Sequence, residues 1–334
     1  MSERPVSVSV VIPAYNAAAT IAECLTALNA QSLPRTDYEV IVVDDGSIDD
    51  TADIAARYGA RVLRQANSGP AAARNRGVNE ARADIVLFTD SDCVPSPEWL
   101  EEMIGPFADP QVAGVKGVYR TRQRNLTARF IQIEYEDRYD HTARCKYVDL
   151  VDTYAAGYRR NILISNGGFD IRFRFLEDQE LSFRLTHAGH KMVFNPRAVV
   201  YHYHPESWRR YAQRKYRIGY WKTRVLRLHP SKAWRDSHTP WSLKVQMLLT
   251  ALSAPLACLS IWVRPCVSLL GVIATAFLVT CIPFMVKAWR RDHPVALVSL
   301  PALYIRAWSL GFGVVAGYMS MLRQRGAPTD AQKH

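Results

Sequence analysis

The sequence predicts an α/β protein with a mostly parallel sheet, followed by apolar helices that reach into a membrane. Three observations predict it. Short Val- and Ile-rich runs alternate with helix-like stretches through residues 6–205. Acidic residues gather where two of those runs end. From about residue 245 the chain is apolar and nearly free of charge. Strand–helix alternation implies parallel strands with helices on both faces.

The elements follow in order. Residues 6–13 form a buried strand closed by Pro13. Residues 17–30 form a helix with Ile21, Leu25 and Leu28 on one face. A second strand, 38–43, ends in Asp44-Asp45-Gly46-Ser47. A helix over 49–58 stops at Gly59, and 61–64 is a short strand. Residues 70–81 are Ala-rich and helical, and the strand 85–89 delivers Asp90-Ser91-Asp92. Residues 112–119 alternate like a strand, and 126–144 read as a helix. Asn166-Gly167-Gly168-Phe169-Asp170 is a turn, Glu177-Asp178 opens a helix running to Gly189, and 198–201 is a strand. In such sheets ligands bind beyond the carboxyl ends of the strands, which is where both acidic clusters fall.

The net charge of +11 is unevenly spread. Residues 205–244 hold eleven Lys and Arg against Glu206 and Asp236, so that stretch carries 11 − 2 = +9. It directly precedes the apolar third, which favours anionic lipid headgroups over nucleic acid. Three apolar segments follow, 245–263, 266–286 and 295–322, with Lys287, Arg290, Arg291 and His293 in a polar loop between the second and third. The first two form a hairpin. The third contains Arg306 and is either another span or an interfacial helix. The basic residues place residues 205–244 and the 287–293 loop in the cytoplasm, with a multi-pass cytoplasmic membrane anchor. This divides the chain into an α/β domain (1–205), a basic amphipathic interfacial segment (206–243), a transmembrane region (244–323) and a polar tail (324–334). The six cysteines form no CxxC pair and read as reduced thiols, and residues 1–5 do not read as a cleaved leader.

Two carboxylates one residue apart at a strand end can share a hard divalent cation, Mg2+ or Mn2+, with substrate phosphates. Asp90 and Asp92 have that spacing, although the same triplet is also a common solvated turn. The Gly69-Pro70 turn opens a small-residue helix carrying Arg74, which suits an anion. Glu177-Asp178 offers a carboxylate for taking a proton from a hydroxyl, and equally suits an ordinary acidic helix start.

Six segments in order carry a family resemblance: Val8-Ser-Val-Val-Ile-Pro-Ala-Tyr-Asn16, Val42-Val-Asp-Asp-Gly-Ser47, Gly69 to Gly77, Thr89-Asp-Ser-Asp92, Gly167-Gly-Phe-Asp170 and Phe175-Leu-Glu-Asp-Gln-Glu-Leu-Ser-Phe-Arg-Leu185. Together they resemble family 2 of the inverting glycosyltransferases, with the Rossmann-like GT-A fold, across residues 6–205. The resemblance implies that Pro13, Ala14 and Tyr15 line a nucleotide pocket and that Asp44 and Asp45 contact base or ribose. It implies Arg74 near the phosphates, Asp90 on the ribose side and sharing the metal, and Asp92 on the metal. Asp178 is then the general base with Glu177 beside it. A late His completes the metal shell in similar chains, with His202 preferred and His204 the alternative. Gln213 and Arg217 resemble part of a polymer-synthase motif whose following Trp is missing, which speaks against processive synthesis. Arg214 and Arg217 are candidates for diphosphate or lipid-phosphate contacts.

The implied reaction moves a sugar from a nucleotide-sugar donor to a hydroxyl of a membrane-associated acceptor, such as a lipid-linked saccharide. A polyprenyl-phosphate sugar synthase of the dolichol-phosphate mannose type is the rival. Its phosphate acceptor is already ionised and needs no strong base, whereas the Glu177-Asp178 pair fits a hydroxyl acceptor.

Overall fold

The computed structural model describes residues 6–233 and 236–326. The chain divides into two compact units that interleave along the sequence. One holds residues up to 123, 138–204 and 236–238; the other holds 124–137, the segment from 205 to 235 and the chain from 239 onward. The expected cut near 205 therefore differs from this division at two places: part of one helix leaves the first unit, and a tripeptide far downstream rejoins it. The tail beyond 326 and the N-terminal residues 1–5 lie outside the described residues.

In the first unit β1 (Val8–Ala14) leads to α1 (Ile21–Asn29), β2 (Tyr38–Asp44), α2 (Thr51–Arg57), β3 (Arg61–Arg64), α3 (Pro70–Glu80) and β4 (Ile85–Phe88). Then come β5 (Cys93–Pro95), α4 (Trp99–Ile104), β6 (Val112–Arg120), α5 (Leu126–Thr142), β7 (Ala156–Arg159), α6 (Arg160–Ser165), α7 (Glu177–His187) and β8 (Lys191–His202). The eight strands form one sheet in the order β3-β2-β1-β4-β7-β6-β8-β5. The first four are parallel, β7 runs against both neighbours, and β5 runs against β8. This is the mostly parallel sheet expected from the alternation. The order reverses beside β1, so the crevice between β1 and β4 is the natural ligand site.

Strand β6 corrects one expectation. The alternation read there predicts one exposed face, yet every residue from Val112 to Tyr119 is buried. The sheet is covered on both faces, and a central strand has no solvent side. Helix α3 lies tight on β1, where a Cβ on Gly77 would run into Val11. Phe88 on β4 meets Tyr158 and Phe169 edge-on, and these rings help fill the core.

The second unit holds α8 (Trp208–Leu228), α9 (Trp241–Leu259), α10 (Pro265–Arg291) and α11 (His293–Gly326), with the first part of α5. Ser207 caps α8 by accepting from the Arg210 N–H. Helices α9, α10 and α11 are each long and apolar enough to cross a membrane. The expected polar loop at 287–293 is not a loop. Lys287, Arg290 and Arg291 continue α10, and Asp292 alone breaks the helix. Its carboxylate accepts from the Val295 N–H, so one residue both ends α10 and starts α11.

Candidate active site

The sheet gathers its functional side chains at the carboxyl ends of β1, β2 and β4. Asn16 adopts a left-handed backbone (φ 49°) just past β1. Its N–H donates to Ser47 Oγ at 2.9 Å, and its Oδ1 accepts from the Ile48 N–H at 3.0 Å. These bonds tie the ends of β1 and β2 together and leave Tyr15 more than half exposed, beside Pro13 and the buried Ala14.

Asp44 ends β2 and Asp45 follows it, and both are buried. Asp44 accepts from the Ser47 N–H at 3.1 Å. Asp45 accepts from Gln65 Nε2 at 2.7 Å and from the backbone N–H groups of Ser68 at 2.9 Å and Gly69 at 2.8 Å. Gly69 has φ 91°, a conformation that glycine adopts without strain. Asp45 thereby holds the turn that starts α3 and fixes Arg74 one turn inside it.

Arg74 is 4% exposed. Its Nη1 donates to Glu177 Oε1 at 2.5 Å and its Nη2 to Asp90 Oδ1 at 2.9 Å. One guanidinium thus joins the end of β4 to the start of α7, and its bond to Glu177 spans 103 residues of sequence. The sequence placed Arg74 beside phosphates. In the fold its two terminal nitrogens are engaged by carboxylates, and Glu177 is buried in that ion pair. Burial nevertheless pushes the Asp90 carboxyl above its usual range, helped by Asp92 and opposed by Arg74.

Asp92 and His202 lie 110 residues apart, and the antiparallel pairing of β5 with β8 sets Cys93 opposite His202. His202 Nε2 then lies 3.1 Å from Asp92 Oδ2. Its ring stacks on Tyr119, with centroids 4.7 Å apart, and Tyr119 stacks on Tyr154. Asp92, Cys93 and His202 can bring their donor atoms within 4.8 Å of one another. Burial, with Asp90 and Asp92, pushes the Cys93 thiol well above its usual range, so it stays protonated. A neutral thiol is a poor ligand for a hard cation, whereas a carboxylate oxygen and an imidazole nitrogen fit Mg2+ or Mn2+. Asp90 and His204 are not in this cluster among the described residues. His204 is buried, and Gln123 straps its backbone through both the N–H and the carbonyl.

Asp178 stands in the first turn of α7, after Leu176 in a left-handed conformation. Its Oδ1 accepts from the Gln179 N–H at 2.7 Å. Burial pushes its carboxyl up to about 7, and the charges of Glu177 and Asp152 add to this while Arg74 opposes it. A carboxylate poised near neutrality suits general-base chemistry.

Asp152, Lys116, Tyr119 and His238 belong to this neighbourhood and were not singled out from sequence. Asp152 pairs with the buried Lys116 of β6. Burial works against its charge, but Lys116 and Arg138 hold its carboxyl down at about 2. A lysine inside a strand buried on both faces must have a buried partner, and that was the missed signal. His238 comes with the tripeptide that rejoins the first unit. Its Nε2 is 2.8 Å from the Gln179 side-chain nitrogen, and Ser237 exchanges hydrogen bonds with Asp149. No spacing rule connects residue 238 to residue 179. Arg214 and Arg217 lie on α8 in the second unit, where Arg214 donates to the Tyr135 hydroxyl.

Residues 9–166 match the sequence model described as Glycosyl transferase family 2. Those residues form a domain of this family. The chain is 33% identical over 235 residues to the pre-mycofactocin glycosyltransferase of Mycobacterium tuberculosis, an alignment covering 67% of this chain and 48% of that one. It is 30% identical over 200 residues to glycosyltransferase AglE of Haloferax volcanii, covering 56% and 64%. The chain thus spans from about half to less than two thirds of these relatives' lengths. Among solved structures it resembles the mannosyltransferase PcManGT from Pyrobaculum calidifontis, in complex with GDP-Man and Mn2+, with a TM-score of 0.58 and 20% identity. That match covers 95% of this chain and 87% of the other. Staphylococcus aureus TarS matches with a TM-score of 0.50 and 20% identity, over 93% and 55%. These likenesses show the GT-A fold expected from sequence.

Proposed function

We propose that this chain transfers a sugar from a nucleoside-diphosphate donor to a hydroxyl of a membrane-associated acceptor, with inversion at the anomeric carbon. The observation that carries the reading is the Asp178 carboxyl, pushed up to about 7 inside an acidic cluster that Arg74 ties to the strand end bearing Asp90 and Asp92.

The nucleotide sits over the ends of β1 and β2, with Tyr15 presented above Pro13 and Ala14. Asp44 and Asp45 shape that floor by holding the loops around it. Asp92 and His202 would hold Mg2+ or Mn2+, with Asp90 on the ribose side; when bound, the cation neutralises the diphosphate leaving group. The printed description of the PcManGT complex, a sugar nucleotide with Mn2+, supports this choice of donor and metal. Asp178 accepts the acceptor hydroxyl's proton as its oxygen attacks the anomeric carbon from the face opposite the leaving diphosphate. Glu177, paired with Arg74, keeps negative charge beside Asp178 and so keeps it basic enough to take the proton. Three apolar helices and the basic α8 support a lipid-anchored acceptor, anionic headgroup contacts and a catalytic domain on the cytoplasmic face of the membrane.

The test is a panel of nucleotide-sugars, with Mn2+ or Mg2+ and extracted lipid, given to the detergent-solubilised full chain. Release of nucleoside diphosphate that needs Asp178 and lipid acceptor supports the reading. No release from any donor with either metal overturns it.

A further inference from the structure

The second unit decides between two fates for α11, a third span or a helix lying along the membrane surface. The α9–α10 hairpin has the marks of a true span. Trp241 and Trp289 are exposed at one end, beside Lys244, Lys287, Arg290 and Arg291, and Trp262 is exposed at the other. Helix α9 (Trp241–Leu259) is about 28 Å long, close to the thickness of a bilayer core, and Trp262 lies in the turn after it. Aromatic side chains at both ends of an apolar rod mark the two interfaces.

Helix α11 is built differently. Its buried neighbours on the hairpin lie toward the Trp241 and Trp289 end. Arg306 Nη2 donates to Gln246 Oε1 at 2.8 Å, and Tyr304 meets Phe277 edge-on. No side chain of 251–259 or 265–276 is fully buried, so the far half of the hairpin is exposed or half-exposed along its length. Over its later length α11 packs against α8 instead. The contact is backbone-close: a Cβ on Gly219 would collide with the Leu310 carbonyl, and one on Gly313 or Gly317 with the carbonyls of Tyr216 or Tyr220. The two helices run parallel, from Tyr216 beside Gly313 to Arg224 Nη2 on Ser320 Oγ at 3.4 Å.

That pairing fixes where α11 can go, because α8 must go with it. Helix α8 carries eight Lys and Arg and no acidic residue. Arg209, Arg210, Arg217 and Arg227 are exposed on it. Were α11 to cross the bilayer, α8 would be drawn across beside it, and each charge in the hydrocarbon is costly. Glu134 on α5 lies within 3.0 Å of both Arg306 and Lys215, which adds a third charged helix at the middle of α11. The opposite face of α11 is an exposed apolar stripe: Leu297, Tyr304, Phe312, Val315, Tyr318 and Leu322, at helical spacing. Its aromatics are spread along the helix instead of gathering at two belts, the pattern of a helix lying in an interface.

We infer that α8 and α11 form one platform lying flat on an anionic bilayer surface, so that only α9 and α10 cross it. The stripe on α11 enters the headgroup–acyl boundary, and the arginines of α8 reach lipid phosphates. Arg323, at the end of α11, then lies on the same side as α8 and the basic end of the hairpin, as the positive-inside rule requires.

The test labels cysteines in the full-length protein with a membrane-impermeant maleimide, in right-side-out and inverted membrane vesicles, and reads each site by peptide mapping. Arg210→Cys, Trp262→Cys and Arg323→Cys report α8, the hairpin turn and the end of α11. Arg323→Cys labelling from the Arg210→Cys side, with Trp262→Cys on the other, is expected. Labelling of Arg323→Cys from the Trp262→Cys side, or from neither side, overturns the inference. Labelling of all three from one side overturns the hairpin and the platform with it. Depth gives a second readout in vesicles of phosphatidylcholine and phosphatidylglycerol. Fluorophores on Tyr304→Cys and Tyr318→Cys, about 21 Å apart along the helix, are quenched by nitroxide lipids. Equal depth is expected, and a difference near their full separation refutes a flat helix.

Discussion

Replacing Asp178 with Asn tests the mechanism through two properties that should move in opposite directions. In the wild type the carboxyl titrates near 7, so about one-tenth is ionised at pH 6 and about nine-tenths at pH 8. A base must be ionised to act, so kcat/KM should rise about tenfold between those two pH values. Asp178→Asn should lose roughly 10²- to 10⁴-fold in kcat and show no such limb. Stability moves the other way. A carboxyl near 3.8 in the unfolded chain and near 7 in the fold is protonated in both states at low pH. As pH rises through that window the unfolded state ionises first, so stability is withdrawn between about pH 4 and pH 7. The full shift corresponds to roughly 4 kcal/mol, and about half of that is a fair figure for a partly exposed carboxylate. The amide keeps an oxygen for the Gln179 N–H and carries no charge to bury. Asp178→Asn should therefore melt several degrees higher than wild type at pH 8 and at about the same temperature at pH 4. Steady-state kinetics across pH 5.5 to 8.5 and thermal denaturation in detergent, about 2 kcal/mol being resolvable, measure both. A wild-type profile flat across that range, or an Asp178→Asn enzyme within tenfold of wild type, would refute the base assignment.

Asp92→Ala should weaken donor binding in the presence of Mn2+ and leave metal-free nucleotide binding unchanged, as calorimetry with and without the metal would show; equal loss in both conditions counts against a metal role. Arg74→Met removes the cation that holds Asp90 and Glu177 and leaves a buried and a half-buried carboxylate unmatched, so it should cost about 3–5 kcal/mol in chemical denaturation; a loss under 1 kcal/mol contradicts the bridging role. Gly77→Ala forces a methyl against Val11 and should cost about 1–3 kcal/mol without changing which donor is bound. His238→Ala removes the partner of the Gln179 side chain next to Asp178 and should lower kcat several-fold with donor affinity intact; an unchanged kcat would mean that the tripeptide only packs.

Much of the first unit was legible in the sequence because its chemistry is local. The strands β1, β2 and β4 are mostly apolar runs, each leads into a turn or an acidic residue, and a parallel sheet places such ends on one edge. That logic located Asp44, Asp45, Asp90 and Asp92 before any fold was known. The position of α7 was likewise readable from its acidic first turn. Strand β7, the double burial of β6 and the partners Lys116 and Asp152 were not. They depend on an antiparallel insertion between two parallel strands, which no local period encodes.

The sequence by itself determined which residues could do chemistry and which segments could enter a membrane, because residue type and apolar length are local properties. Tertiary structure decided how they are used. The pairing of β5 with β8 brought His202, and not His204, to Asp92. The fold engaged Arg74 with two carboxylates in place of open solvent and set Asp178 among buried charges that raise its basicity. It also carried residues 236–238 back to α7, the helix of Asp178. In the second unit, the close packing of α8 on α11 gave an apolar helix a partner carrying eight cations, a fact that hydropathy read one segment at a time cannot contain.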